Sequence, residues 1–187
     1  PRYMITFTLA ETTHDLQQIL DLQALNCETS LTPEEVAAQG FLTAQHTLDL
    51  LEEMNQKYKH VIAKNNGQVI GYALVMLKEF SEKLPVLTPL IKVVEELSYE
   101  NVPLITASYF IMGQICVAKE FRGQQVFEGM YLKLKQQMQP HFDYVVTGVA
   151  QRNARSINAH YRVGFESILK FGSDTGEKWD IILWDWQ

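Results

Sequence analysis

The chain has 187 residues, with 16 Lys and Arg against 22 Asp and Glu for a formal charge of −6, a sequence pI near 5.4 and a hydrophobic share of 47%. This suits one soluble globular domain able to bury roughly 70% of the surface its unfolded chain exposes, with no staple or metal required for stability. An acidic chain without a basic run lacks the clustered Lys and Arg that hold a phosphate backbone, so nucleic acid is excluded as an expected partner.

Residues 5–10 alternate β-branched, aromatic and polar side chains and read as an opening strand. From Thr13 the period changes to that of a helix, with Leu16, Ile19 and Leu20 on one face, ending near Asn26. Thr32, Pro33, Glu34 and Glu35 give a helix start, with a cap, a Pro at the first position and a Glu three after the cap, and Gly40 ends that helix. A third helix is expected over residues 47–58. Two β-rich runs, 60–64 and 68–78, flank Asn65, Asn66 and Gly67, which tolerate the positive φ of a hairpin turn.

Residues 81–103 contain three prolines but keep an apolar helical stripe through Leu90, Val93, Val94 and Leu97 after Thr88, a loop and helix inserted between strands. The second half alternates: strand 108–117, helix 126–138 with Phe127, Met130, Tyr131, Leu134 and Met138 inward, strand 144–150, helix 153–163, and closing strands 165–171 and 178–186. A strand, helix, strand order implies a crossover and a parallel pair, so the fold class is α/β (α+β), a mixed sheet flanked by helices. No linker, repeat or low-complexity tract divides residues 1–187 into domains.

The two cysteines, Cys27 and Cys116, form no CxxC pair and no metal-ligand spacing, which fits a reducing, cytoplasmic setting. The longest apolar runs fall below the ~20 residues of a membrane span, and residues 1–8 lack the basic-then-apolar order of a signal peptide. Trp179, Trp184 and Trp186 alternate with aliphatic residues on the last strand and read as core or interface aromatics, leaving a homodimer open.

Chemistry concentrates where strand 108–117 gives way to a helix. The intervening Ala118-Lys119-Glu120-Phe121-Arg122-Gly123-Gln124-Gln125 is a turn entering a helix, whose free amides and dipole can hold a pyrophosphate. Ile115-Cys116-Val117 followed by Phe121-Arg122-Gly123-Gln124-Gln125-Val126-Phe127 resembles the Arg/Gln-x-x-Gly-x-Gly/Ala acetyl-CoA loop of the GCN5-related N-acetyltransferase (GNAT) superfamily. Residues 153–165, with Asn153 and Ser156 near a helix start and Tyr161 before Gly164-Phe165, resemble the second signature of that family. The resemblance spans nearly the whole chain and implies a mostly antiparallel sheet with a central parallel pair.

It also implies an acetyl-CoA-dependent N-acetyltransferase that acts by direct attack in a ternary complex, without a metal, on a small-molecule or peptide amine. A catalytically weak acyl-CoA-binding or regulatory module on the same fold is the alternative. By the resemblance, strand residues 113–117 splay from their neighbour, backbone groups of Ile115, Cys116 and Val117 hold the pantetheine arm, and an amide near Val117 stabilises the oxyanion. Arg122 to Phe127 take the pyrophosphate, Asn153 and Ser156 line the cofactor, and Tyr161 is the general acid that protonates the leaving thiolate.

Two departures stand out. Gln125 occupies a position where a second Gly is common, with Phe127 or Val126 where Gly or Ala often sits. If that Gly supplies positive φ, Gln costs about 1 kcal/mol or more. No Asp or Glu occurs in residues 108–117, where many relatives carry a carboxylate, so the base is a water chain or a residue from the first helices. Glu28, Glu34 and Glu35 lie in the region that shapes the acceptor pocket. Cys116 reads as a small buried strand residue and His160 as a surface or packing histidine.

Overall fold

A computed structural model of the protein describes residues 4–34, 44–85 and 88–187. Strand β1 (Ile5–Leu9) leads into α1 (Thr13–Asn26), which starts on a reciprocal cap: Thr12 Oγ1 accepts from the Asp15 amide at 3.0 Å, and the Asp15 carboxylate accepts from the amides of Glu11 and Thr12. Helix α2 (Leu48–Lys57) is capped by Thr47, whose hydroxyl oxygen accepts from Leu50 N at 3.2 Å. Strands β2 (Val61–Asn65) and β3 (Gln68–Met76) meet in the expected hairpin, where Asn66 and Gly67 both take positive φ, +52° and +79°. Pro33 and Glu34 are helical, as the Thr32 start implies; the remainder of that expected helix, Glu35 included, lies outside the described residues.

The inserted stretch holds a 3₁₀ turn (Lys78–Lys83), α3 (Thr88–Glu95) and a small hairpin of β4 (Ser98–Tyr99) and β5 (Val102–Pro103). The sequence reading gives only a loop and a helix here, because two-residue strands are too short to show alternation. Then follow β6 (Tyr109–Val117), α4 (Val126–Met138), β7 (Tyr144–Ala150), α5 (Ala154–Val163), β8 (Glu166–Gly172) and β9 (Lys178–Asp185).

Seven strands form one sheet in the order β1-β2-β3-β6-β7-β9-β8, antiparallel at every step except the parallel pair β6–β7. Helix α4 packs across β1, β2 and β3 on one face, with Met130 against Gly71; a Cβ at Gly71 would stand 3.1 Å from the Met130 side chain. Tyr72, next along β3, points to the opposite face, where α1 lies over β3 and β6. Both faces are apolar and fully covered around Ile62, Leu74, Phe110, Met130 and Val146, so this central region fixes the position of β6. Among the described residues no helix is long and apolar enough to cross a membrane.

Candidate active site

The site begins where the parallel pair stops. β6 and β7 pair at Tyr109 with Tyr144, Phe110 with Val145 and Ile111 with Val146, and no further. Beyond that point β6 stays paired with β3 on its other edge, through Ile115–Ala73, Cys116–Tyr72 and Val117–Gly71. Ala118 N donates to Ile70 O at 2.7 Å, which sets the phase of that ladder. Since successive residues alternate, Cys116 directs its amide and carbonyl toward β3, while Ile115 and Val117 direct theirs into the opening left by β7. The Val117 carbonyl accepts from Arg122 Nε at 3.1 Å.

The opening continues into a cavity of about 270 Å³. Its strand wall is Ile115, Cys116 and Val117; Arg122, Gly123, Gln125, Val126 and Phe127 supply the loop and the first turn of α4; Asn153 and Ser156 come from the start of α5. The expected donor residues therefore converge, except that Gln124 turns its side-chain amide back to donate to the Glu120 carbonyl at 3.1 Å and does not line the cavity. Gly123 and Gln125 take φ of +75° and +64°, so the chain enters α4 through left-handed steps. Gly129 N is the first amide to donate along the helix, to Gln125 O at 3.0 Å, so those of Val126, Phe127 and Glu128 precede the helical ladder and have no acceptor within it. Such a nest of amides with the helix dipole behind it is an anion site.

Arginines reinforce it. Arg122 Nη2 donates to Asn26 Oδ1 at 2.9 Å, tying the loop to the end of α1, and burial of this guanidinium lowers its pKa from the ordinary value. Arg155 and Arg162, two turns apart on α5, stand on the same cavity wall as Ala159. Asn26, Arg155 and Arg162 are not among the expected site residues. The spacing of the two arginines was the available signal, whereas the Asn26–Arg122 contact joins distant parts of the chain and leaves no local trace. Asn153 is buried and precedes α5, but its side chain makes no helix cap and faces the cavity. The thiol of Cys116 is buried, which pushes its pKa up to about 12 and keeps it protonated.

A match to the Acetyltransferase (GNAT) family model covers residues 25–165. The chain belongs to the GNAT acetyltransferase family. Solved structures agree in fold: the NatC complex bound to Gag peptide and CoA (TM-score 0.65, 11% identity, 98% of this chain and 99% of that one), the ribosomal-protein-S18-alanine N-acetyltransferase from Escherichia coli (0.62, 13%, 97% and 94%) and yncA from Salmonella typhimurium with its cofactor acetyl-CoA (0.63, 15%, 98% and 94%). No curated protein sequence matches the chain significantly. At these identities the structural likeness concerns the fold of this GNAT protein alone.

Tyr161 is not on the cavity wall. Its hydroxyl donates to the buried Asp180 carboxylate on β9, which also accepts from Ser167 Oγ, and the Tyr161 pKa is raised by burial and by that carboxylate. The general acid expected from the second signature is thus turned toward β8 and β9 by an acceptor that the local sequence does not announce. The neighbouring His160 is buried rather than at the surface. Its Nδ1–H donates to Ser156 O at 2.7 Å and its Nε2 accepts from Tyr131 OH at 2.6 Å, with Phe127 edge-on at 5.0 Å. Phe127, expected in the core, is half-buried and lends its ring to the cavity wall.

On the α1 side of β6, Gln114 stands in a buried, uncharged network. Its Oε1 accepts from Tyr72 OH at 2.7 Å and from Gln23 Nε2 at 2.6 Å, and its Nε2 donates to Ala44 O at 2.9 Å. Gln23 also accepts from His46 N and donates to His46 Nδ1, each at 2.9 Å. No group of three or more potential metal ligands occurs among the described residues.

Proposed function

We propose that this GNAT protein is an N-acetyltransferase that moves an acetyl group from acetyl-CoA to an amine of a small molecule or peptide by direct attack within a ternary complex. The observation that carries this reading is the free edge of β6, with the amides of Ile115 and Val117 opening into the same cavity as the arginine-flanked start of α4. The fit is chemical: inward amides and the Ile115 carbonyl match an amide-bearing arm, and the α4 amides with Arg155 and Arg162 match phosphates. At about 270 Å³ the cavity is near the lower end of the roughly 300–1,000 Å³ usual for ligand pockets, which suits an arm and its phosphates with the nucleoside outside.

Acetyl-CoA, when bound, supplies the activated acyl carbonyl. In this reading the Val117 N–H, which points away from β3, takes developing negative charge on the carbonyl oxygen, as any preorganised donor does. Arg122 holds the Val117 carbonyl and thereby the orientation of the following peptide. The acceptor enters, in this reading, between residues 44–46, where Ala44 O is bonded to Gln114 and His46 N to Gln23, and the insert whose Leu90 packs on Gly148 of β7. Of the carboxylates expected there, Glu34 is exposed and Glu35 lies outside the described residues.

The second reading, an acyl-CoA-binding module with weak or no turnover, is favoured by the left-handed Gln125, the Phe127 ring on the cavity wall and the commitment of Tyr161 to Asp180. Calorimetric titration with acetyl-CoA, followed by release of free thiol across a panel of amines, separates the two. Binding with thiol release supports the transferase, binding alone the module, and no binding at millimolar ligand overturns both.

A further inference from the structure

The fork between β6 and β7 opens where the β3–β6 register shifts, between the Ala73–Ile115 and Val75–Met112 pairs, and it carries a side-chain bond at its apex. After Ile111 and Val146 the next rung would join Met112 to Thr147, and there a hydroxyl stands where a backbone amide would otherwise donate: Thr147 Oγ1 gives its hydrogen to Met112 O at 2.8 Å. Thr147 is 4% exposed, so this carbonyl has its partner away from solvent. A bridge through Cβ and Oγ1 spans more distance than a direct N–H to O contact, so the two backbones are held apart at the rung where the ladder ends.

The neighbouring positions agree with a fork held at this point. Leu90 of α3 packs against β7 at Gly148, where a Cβ would come within 3.0 Å of Leu90 Cδ1. On the far side of Gly113, Gln114 is fastened by Tyr72, Gln23 and Ala44. The strand is therefore pinned on both sides of Gly113, at Met112 by Thr147 and at Gln114 by the amide network.

We propose that Thr147 is a positioning residue of the donor cleft, its hydroxyl ending the β6–β7 ladder and keeping the edge from Gly113 to Val117 open for an acyl-CoA arm. The proposal rests on the acyl-CoA reading of the cavity. With Thr147→Val the hydroxyl is replaced by a methyl of similar size, Met112 O loses its donor, and the strands are free to approach or slide. Thr147→Ser keeps the donor.

The test combines acetyl-CoA calorimetry with amide hydrogen exchange on the protein without ligand. In the wild type, the amides of Ile115 and Val117 should exchange faster than those of Cys116 and Ala118. Thr147→Val should erase that alternation and weaken acetyl-CoA binding by about tenfold or more, with Thr147→Ser within about threefold of wild type, as expected when positioning depends on the hydroxyl. A folded Val variant that keeps the alternation and binds within about twofold of wild type overturns the proposal. So does uniform protection across residues 115–118 in the wild type, a result that needs no variant to fold. Failure of the wild type to bind acetyl-CoA overturns the donor reading instead, and exchange alone then decides whether Thr147 holds the fork.

Discussion

Gln125 carries the sharpest departure from the loop pattern, and its backbone explains the usual Gly. At φ +64° a side chain crowds the following carbonyl, at a cost of about 1–2 kcal/mol, partly offset by the extra freedom Gly would have in the unfolded chain. Gln125→Gly should therefore stabilise the protein by about 0.5–1 kcal/mol in urea unfolding, and acetyl-CoA should bind at least as tightly because the nest of amides is kept. A loss of stability would mean that the Gln side chain contributes more than the strain costs. Tyr161→Phe tests the other unexpected residue. Removing one of two hydroxyl donors from the buried Asp180 should cost about 1–3 kcal/mol of stability. Acetyl-CoA affinity should stay near wild type, since Tyr161 is off the cavity wall. Turnover reduced by about 10²-fold would return Tyr161 to the mechanism as the general acid.

Helix α5 illustrates both what a sequence discloses and what it withholds. Its length, its Asn153 start and its Gly164 end are legible, and Gly164 proves necessary twice: φ is +133°, and a Cβ would meet Trp184 Nε1 at 2.7 Å. The limits of β7 and α4 are likewise legible from their unbroken periods. The direction of individual side chains on α5 is not. Helical spacing puts His160 and Tyr161 on different faces, but only the packing of Phe127, Tyr131 and Phe165 around one, and Asp180 beside the other, decides which is buried. The two arginines of α5 offer a direct test of the anion site. Arg155→Gln with Arg162→Gln should weaken acetyl-CoA binding by about tenfold or more and flatten its dependence on salt, because long-range attraction to phosphates is what the change removes. Unchanged affinity at low salt would move the phosphates away from this helix.

Across the whole molecule, three buried histidines share one arrangement: each uses a ring nitrogen as an acceptor from a protein donor. His46 accepts from Gln23 Nε2, His60 from Val75 N and His160 from Tyr131 OH. Protonation would set donor against donor, and burial lowers each pKa from 6.5 to about 4. Because the folded-state values lie below the unfolded one, this stabilisation is complete above pH 6.5 and is lost as the pH falls toward 4. Urea unfolding should therefore show a steep fall in stability between pH 6.5 and 4, with uptake of about three protons on unfolding near pH 5 from these residues. A flat profile would mean that the rings are solvated or charged in the native state. The uncharged network around Gln114 has a consequence of another kind. If β6 slid by one residue against β3, Ile115 would enter the niche of Tyr72 and Gln23, stripping the buried Gln114 amide of its partners and taking one acceptor each from the Tyr72 hydroxyl and the Gln23 amide. The same slip would exchange the amides that face β3 with those that face the cleft. The network is thus a key for strand register, penalising the misfolded sheet in which Cys116, rather than Ile115 and Val117, would present its backbone to the donor.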